Sequence, residues 1–290
     1  MSVETRKAHE RNGIADLHMH STFSDGVLTP GELVRKAAEN ELETISITDH
    51  DSVDGIEEAI CIGKECNVTV IPGIELSASI NGREIHMIGY FFDKGNQNLL
   101  GTIKGLREQR LIRAERIVDK LNKMNIPLKI DSVLKMAGAG SVGRPHIARA
   151  LMEEGLVDSY MHVFSKFIGD NGPAYEKKAE VMPEKVIDMI ANAGGLSILA
   201  HPGRSVSEKE ILSLIQTGID GIEVIHPSHT PELVQYYRAI VNQYYLVESG
   251  GSDYHGGLRG DDHNFGQVFV PRESVDHMRS RLPTQFNGDF

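Results

Sequence analysis

Cysteine is scarce in this chain of 290 residues: Cys61 and Cys66 are its only two. Neither belongs to a Cys-x-x-Cys motif, and on a shared helix their spacing puts them on different faces, so they read as buried, reduced thiols. Apolar runs long enough to cross a bilayer are missing. The first ten residues, Met1 to Glu10, are charged and lack the apolar centre of a signal peptide, so a cytoplasmic protein is expected. A basic excess is missing as well. The net charge of −11 argues against broad binding to long nucleic acid, which normally meets a basic face, although an anion still binds where the local site is cationic. There is no repeat, low-complexity stretch, Walker loop or Gly-x-Ser-x-Gly elbow. What remains is an ordinary globular composition, 40% hydrophobic and 24% charged, in a chain long enough for one large core or two domains.

The most informative stretch runs from Asp16 to Gly26. Asp16, His18 and His20 alternate with Ala15, Leu17 and Met19, the period of a β-strand. Both imidazoles therefore emerge on one face, while Leu17 and Met19 face an apolar layer. Ser24-Asp25-Gly26 ends the strand in a turn and sets a carboxylate just beyond it. Two imidazoles and a carboxylate form part of a metal-ligand set that needs donors from elsewhere. Taken alone, the same face is equally a polar strand face that meets water.

Thr29, Pro30 and Glu32 open a helix as N-cap, first helical residue and capping-box partner. A second strand at 44–48 runs into Asp49-His50-Asp51, and Ser52 or Asp54 caps the helix that follows to about Cys66. The third strand covers 68–77 with Glu75 near its end, and the fourth covers 84–91. Asn81-Gly82 between them reads as the tight turn of an antiparallel hairpin. Up to this point, strand–helix alternation predicts a mainly parallel sheet. The pattern then changes. A long helical stretch at about 98–125 is followed by expected helices at 131–137, 144–154 and 158–168, with no strand before about Gly194. Within it, the glycine-rich loop from Gly138 to Arg144 ends at a helix start. It is either an anion site of free N–H groups and an arginine or a plain connection. Strand–helix order resumes after Met182-Pro183-Glu184, with strands at 196–200, 221–225 and 245–247 and a last one at 266–270. The expected division is a charged tail at 1–13, a β/α body formed by 14–93 and 183–290, and a helical insertion, or lid, at 94–182.

Five separate apolar runs end in a histidine or acid: His50, Glu75, His201, His226 with His229, and Asp253 with His255. In a parallel β/α barrel the strand ends converge on one rim, where side chains build the active site. Any one of these histidines alone is readily explained by structural hydrogen bonding. Their joint placement with His18, His20, Asp25 and Glu75 points instead to a multinuclear metal site.

His18-x-His20 with Asp25-Gly26, Thr48-Asp49-His50, Pro72-Gly73-Ile74-Glu75, His201-Pro202-Gly203-Arg204 and Ser252-Asp253-x-His255 resemble the successive motifs of the PHP (polymerase and histidinol phosphatase) superfamily. The resemblance runs from about Ile14 to about Val270. Gly143-Arg144-Pro145-His146-Ile147-Ala148, Gly172-Pro173-Ala174-Tyr175 and Glu223-Val224-x-His226-Pro227-x-His229 resemble its TrpH/YciV-like branch. That branch includes nucleoside 3′,5′-bisphosphate phosphatases and 5′→3′ exonucleases acting on short 5′-phosphorylated RNA or DNA. The resemblance implies an α/β fold, a distorted (β/α)7 barrel with a helical insertion domain. It further implies that His18, His20, Glu75 and Asp253 hold one metal and that Asp25, His50 and His201 hold a second. Glu75 would bridge to a third with His86 and His255. One local departure is the charged Glu176-Lys177-Lys178-Ala179-Glu180, where relatives are more apolar, which bears on the entrance to the site.

A mixed imidazole–carboxylate set suits Mn²⁺, Fe²⁺ or Zn²⁺ better than Mg²⁺, and the family's habit favours two or three ions of manganese. Two metals sharing a water make a bridging hydroxide that attacks a phosphomonoester in line. Arg144 and Arg204 are the expected phosphate anchors, with His146 beside Arg144; Arg204, at the rim, is also a catalytic candidate. His226 and His229 either protonate a leaving group and contact a base or second phosphate, or are hydrogen-bonded strand-end histidines. The implied activity is a metal-dependent phosphoesterase acting on nucleoside 3′,5′-bisphosphates and short 5′-phosphorylated oligonucleotides. Histidinol-phosphate phosphatase and a noncatalytic nucleotide-binding module are the alternatives. No membrane or long duplex partner is expected.

Overall fold

The computed structural model describes residues 13–283, so all but the last residue of the expected N-terminal tail lies outside it. Strand β1 (Ile14–Met19) is buried along its whole length, with Leu17 and Met19 in apolar clusters as the alternation requires. Helix α1 (Pro30–Glu39) starts as its sequence predicts. Thr29 accepts the Glu32 N–H, and the Glu32 carboxylate accepts the Thr29 N–H. Strand β2 (Thr44–Ile47) follows.

Helix α2 (Ile56–Cys66) begins without a side-chain cap, contrary to the expectation for Ser52 or Asp54. Ser52 instead accepts the Asp54 N–H, which spends both residues on a local turn. The cysteines also differ from expectation: Cys61 is exposed and Cys66 only half-buried. The buried stripe of α2 is just Ile56, Ala59 and Gly63, too narrow to cover either thiol.

The single strand expected at 68–77 is two. Pro72, which has no N–H to donate, separates β3 (Thr69–Val70), paired with β2, from β4 (Gly73–Ile80), which joins another sheet. Strand β5 (Arg83–Tyr90) pairs antiparallel with β4 along their full lengths, across Asn81 and Gly82, both at positive φ. After the insertion come α7 (Pro183–Asn192), β6 (Leu196–Ala200), α8 (Glu208–Thr217), β7 (Gly221–Ile225), α9 (Pro231–Gln243), β8 (Val247–Gly250), β9 (Val270–Pro271) and α10 (Arg272–Arg281). The expected last strand is thus only two residues, antiparallel to β1.

The hydrogen-bonded orders are β3-β2-β1-β9 and β4-β5-β6-β7-β8. Two seams join them. At one, Met19 bridges Tyr254, with Asp253 N–H donating to the His18 carbonyl at 2.9 Å; at the other, His50 bridges Glu75. The result is a closed ring of seven strands, β1-β2-β4-β5-β6-β7-β8, in which β5 alone runs against its neighbours. The distorted α/β barrel is therefore present. The first seam requires close backbone approach: a β-carbon on Gly251 would lie 2.4 Å from the His18 nitrogen.

Between β5 and α7 the chain is helical: α3 (Gln97–Lys123), α4 (Ile130–Ala137), α5 (Arg144–Glu153) and α6 (Tyr160–Val163), which runs on as a π-helical turn at Phe164–Ile168. Leu121, Val133, Ile147, Leu151 and Val163 belong to an apolar cluster drawn only from this region. Arg110 pairs with Asp51, and the Ser141 N–H donates to the Phe23 carbonyl at 2.9 Å, fastening it to the barrel. Among the described residues no helix is long and apolar enough to cross a membrane.

Candidate metal centre and its cavity

Both seams carry the chemistry. His18 and His20, fully buried on one face of β1, have ring centroids 5.2 Å apart. Asp25 follows in the turn after β1, His50 lies three residues beyond β2, and Asp253 and His255 follow β8. Glu75 on β4 is the hub: His18, His20, His50, His86 and His201 each place a ring nitrogen within 3.6 Å of its carboxylate. Because β5 is reversed, its ligand candidate His86 lies near the strand's start, opposite Ala200 at the end of β6.

All nine residues expected as metal ligands come together, in four overlapping groups whose donor atoms lie within 4.8 Å of one another. These are His20, Asp25, His50 and His255; His18, His20 and Asp253; His18, Glu75 and His201; and His50, Glu75 and His86. These groups differ from the expected sharing among ions: His18, His20 and Asp253 stand together without Glu75, and His50 rather than His255 joins Glu75 and His86. His201 joins His18 and Glu75 rather than Asp25 and His50, and His255 takes the place beside Asp25.

The donors fit a cation. His18 Nε2, His20 Nε2, Asp25 Oδ1, His50 Nδ1 and His255 Nε2 are all buried without a hydrogen-bond partner. Each such atom costs about 1–3 kcal/mol if nothing answers it. A divalent ion that accepts nitrogen and oxygen donors answers all five. The charges agree. Burial alone would raise the Glu75 and Asp253 carboxyls, but the surrounding imidazoles hold both well below the usual carboxylate range. Asp25 is held down in the same way, with Arg259 the strongest contributor. Burial pushes His50 down to about 3.

A cavity of roughly 470 Å³ opens beside this cluster, between Asp25, His50 and His86 of the barrel and Tyr160 and Phe164 of the insertion. Five cationic side chains line it: Arg110, Arg113, Arg144, Lys178 and Arg259. Of these only Arg144 was a sequence candidate; it pairs with Asp170 at 2.6 Å and faces the Tyr175 ring. Lys178 lies in the charged stretch noted above and pairs with Glu84, and burial lowers it to about 8.

Residues 16–246 match the PHP domain model. The chain belongs to the PHP domain family. Similar proteins include a 5′-3′ exoribonuclease of Haemophilus influenzae, 36% identical over 83% of this chain and 89% of that protein. A 3′,5′-nucleoside bisphosphate phosphatase of Chromobacterium violaceum is 31% identical over 83% of this chain and 86% of its own length. A crystal structure described as a metal-dependent phosphoesterase from Bifidobacterium adolescentis superposes with a TM-score of 0.87 at 29% identity, covering 92% of this chain and 96% of that one. The chain is accordingly a PHP-domain phosphoesterase, a metal-dependent hydrolase.

Other expected site residues of this PHP domain are placed differently. His226 stands at the rim with Nε2 3.4 Å from Asp253 and Nδ1 2.7 Å from the Ser228 hydroxyl. Arg204 is exposed after β6 and does not line the cavity. His146 is buried with both ring nitrogens engaged. Nδ1 accepts the Gly143 N–H at 3.0 Å and Nε2 donates to the Ser24 carbonyl at 2.9 Å, so it latches the helical region to the turn after β1. His229 is likewise spent: Nε2 accepts the Gly203 N–H at 3.1 Å and Nδ1 donates to the Val224 carbonyl at 2.9 Å. For His229 the strand-end structural reading is the one the geometry fits.

Proposed function

We propose that this protein is a phosphatase of nucleoside 3′,5′-bisphosphates that also trims short 5′-phosphorylated oligonucleotides. One observation carries the reading: three members of the nine-residue donor cluster, Asp25, His50 and His86, line one cavity together with five cationic side chains. Divalent ions held by the cluster, Mn²⁺ by the family's habit and two or three in number, would supply activated water and positive charge for phosphoester hydrolysis. The chain's own residues do the rest. Arg144 and Arg113 hold a phosphate that is not cleaved, guanidinium forks matching its oxygens. The rings of Tyr160 and Phe164 offer a base faces to stack on. His226, beside Asp253, is the proton donor to the leaving oxygen. Residues 94–182 act as the lid that brings the arginines over the cluster, and an exposed Cys61 thiol suits the reducing cytoplasm. The likeness to both an exoribonuclease and a bisphosphate phosphatase supports a substrate with a second phosphate near the scissile one.

The test is a panel. Protein loaded with Mn²⁺ is offered adenosine 3′,5′-bisphosphate, a 5′-phosphorylated short RNA and histidinol phosphate, and released phosphate and mononucleotide are measured. Turnover of the first two and little of the third is expected; no turnover by metal-loaded protein would overturn the assignment. Asp25→Asn should lose about one bound ion per chain and nearly all turnover, with an unchanged circular dichroism spectrum.

A further inference from the structure

Glu223 lies on β7, fully buried, and belongs to none of the donor groups. Its carboxylate nevertheless reaches two of their members. Oε1 is 2.9 Å from His18 Nδ1, and Oε2 accepts the backbone N–H of His201 at 2.7 Å. Among the described residues no lysine or arginine forms an ion pair with it; its neighbours are the imidazoles of His18, His226 and His201. A buried carboxylate without a cation is costly, so its location beside the donor cluster calls for a reason.

The two contacts supply one. A carboxylate only accepts, so the hydrogen of a neutral His18 ring resides on Nδ1. Nε2, on the far side of the ring, is then the bare nitrogen, and it faces Asp253 at 3.3 Å and Glu75 at 3.6 Å. His201 has φ of +26°, an uncommon backbone for a residue with a β-carbon. Acceptance of its N–H by Glu223 holds the chain in that turn, from which His201 Nε2 reaches Glu75 at 3.0 Å. One carboxylate thus sets the ring nitrogen of one donor and the backbone of another, and both donors share a group with Glu75.

We propose that Glu223 is a positioning residue that sets the affinity of the His18–Glu75–His201 group for its divalent ion. It does so by fixing which nitrogen His18 presents and the backbone from which His201 reaches inward. The proposal rests on the reading of the cluster as a metal centre. An outer carboxylate on a ligating imidazole typically changes metal affinity by about 10–100-fold.

Glu223→Gln separates this role from mere filling of space. The amide has the same shape, but only one of its two ends accepts. If the oxygen serves the His201 N–H, the NH₂ faces His18 Nδ1 and drives the ring hydrogen to Nε2, into the metal position. If the amide turns over, its NH₂ meets the His201 N–H instead. Either way one donor is lost. Zn²⁺ titration against a chromophoric chelator, with metal counted per chain, should show one ion weakened by about 10–100-fold in the variant. Ions held by the Asp25–His50–His255 side should keep wild-type affinity. A folded variant with wild-type affinity at every ion overturns the proposal while leaving the metal centre standing; wild-type protein that takes up no metal overturns the metal centre itself. A second readout needs no mutation. Nitrogen NMR of histidine-labelled, zinc-loaded wild-type protein should find His18 bound through Nε2 with hydrogen on Nδ1, and zinc on Nδ1 would refute the role of Glu223.

Discussion

Arg113 donates its Nε–H to the Glu176 carbonyl at 2.7 Å and lies over the Tyr175 ring, yet its buried Nη2 has no acceptor. The other four cavity cations each have a carboxylate: Asp51, Asp170, Glu84 and Asp25. Burial, with Arg144 and Arg110 nearby, lowers Arg113 to about 10. An anion between these guanidiniums would relieve both the crowding and the orphaned donor. Arg113→Ala should therefore raise KM for a 3′,5′-bisphosphate by about 10–100-fold, the range of one charge-assisted contact, and leave a 5′-monophosphate within about twofold. Equal increases for both would mean that Arg113 does not read the second phosphate. None of this was visible in the sequence, where Arg113 is one charge among many on a long helix. The metal-ligand candidates were visible, because each ends an apolar run or alternates along a strand. His146 and His229 were not resolvable from ligands, since the atoms that occupy their rings, the Ser24 carbonyl and the Gly203 N–H, come from distant segments.

At the scale of elements, the barrel's two seams and the donor cluster coincide. This accounts for the grouping of His255 with Asp25 and His50. In the closed ring β8 lies beside β1 and β1 beside β2, so His255, Asp25 and His50 are neighbours. β6, which carries His201 at its end, is three strands away from either β1 or β2. Sequence order shows that strand ends converge, but the pairing of first and last strands is a tertiary fact. The reversed β5 is signalled by Asn81-Gly82, and Pro72 is where the expected third strand divides into β3 and β4. The first seam offers a direct test. A β-carbon at Gly251 would meet the His18 backbone at 2.4 Å and the Asp16 carboxylate at 2.7 Å, and backbone cannot yield as a side-chain tip does. Gly251→Ala should cost about 1–3 kcal/mol, the usual penalty for overpacking. By calorimetry that is a Tm lower by roughly 3–10 °C. It should also weaken metal held by His18, His20 and Asp253. An unchanged Tm with unchanged metal content would show that this seam tolerates separation.

For the molecule as a whole, metal and proton compete for the same buried cluster. His86 lies between Glu75 and Glu84 at 2.8 Å from each. Burial would lower it, but the two carboxylates outweigh burial and push it up to about 9 from an ordinary 6.5. In metal-free protein the folded state therefore holds this proton more tightly than the unfolded chain does. That stabilisation is fully present below about 6.5 and is lost as pH rises through about 9. An ion at the His50–Glu75–His86 group must expel the proton. Loading between these limits then releases a proton, and apparent affinity rises by up to about tenfold per pH unit. Metal at about 100 times its Kd stabilises a fold by about 2.7 kcal/mol. In a chain of this size that is a rise in Tm of roughly 5–10 °C. The difference in Tm between Mn²⁺-loaded and chelator-treated protein should thus be small at pH 6 and grow steadily toward pH 9. A difference that is constant across this range, or largest at pH 6, would show that His86 keeps its proton when the metal binds and is not a ligand.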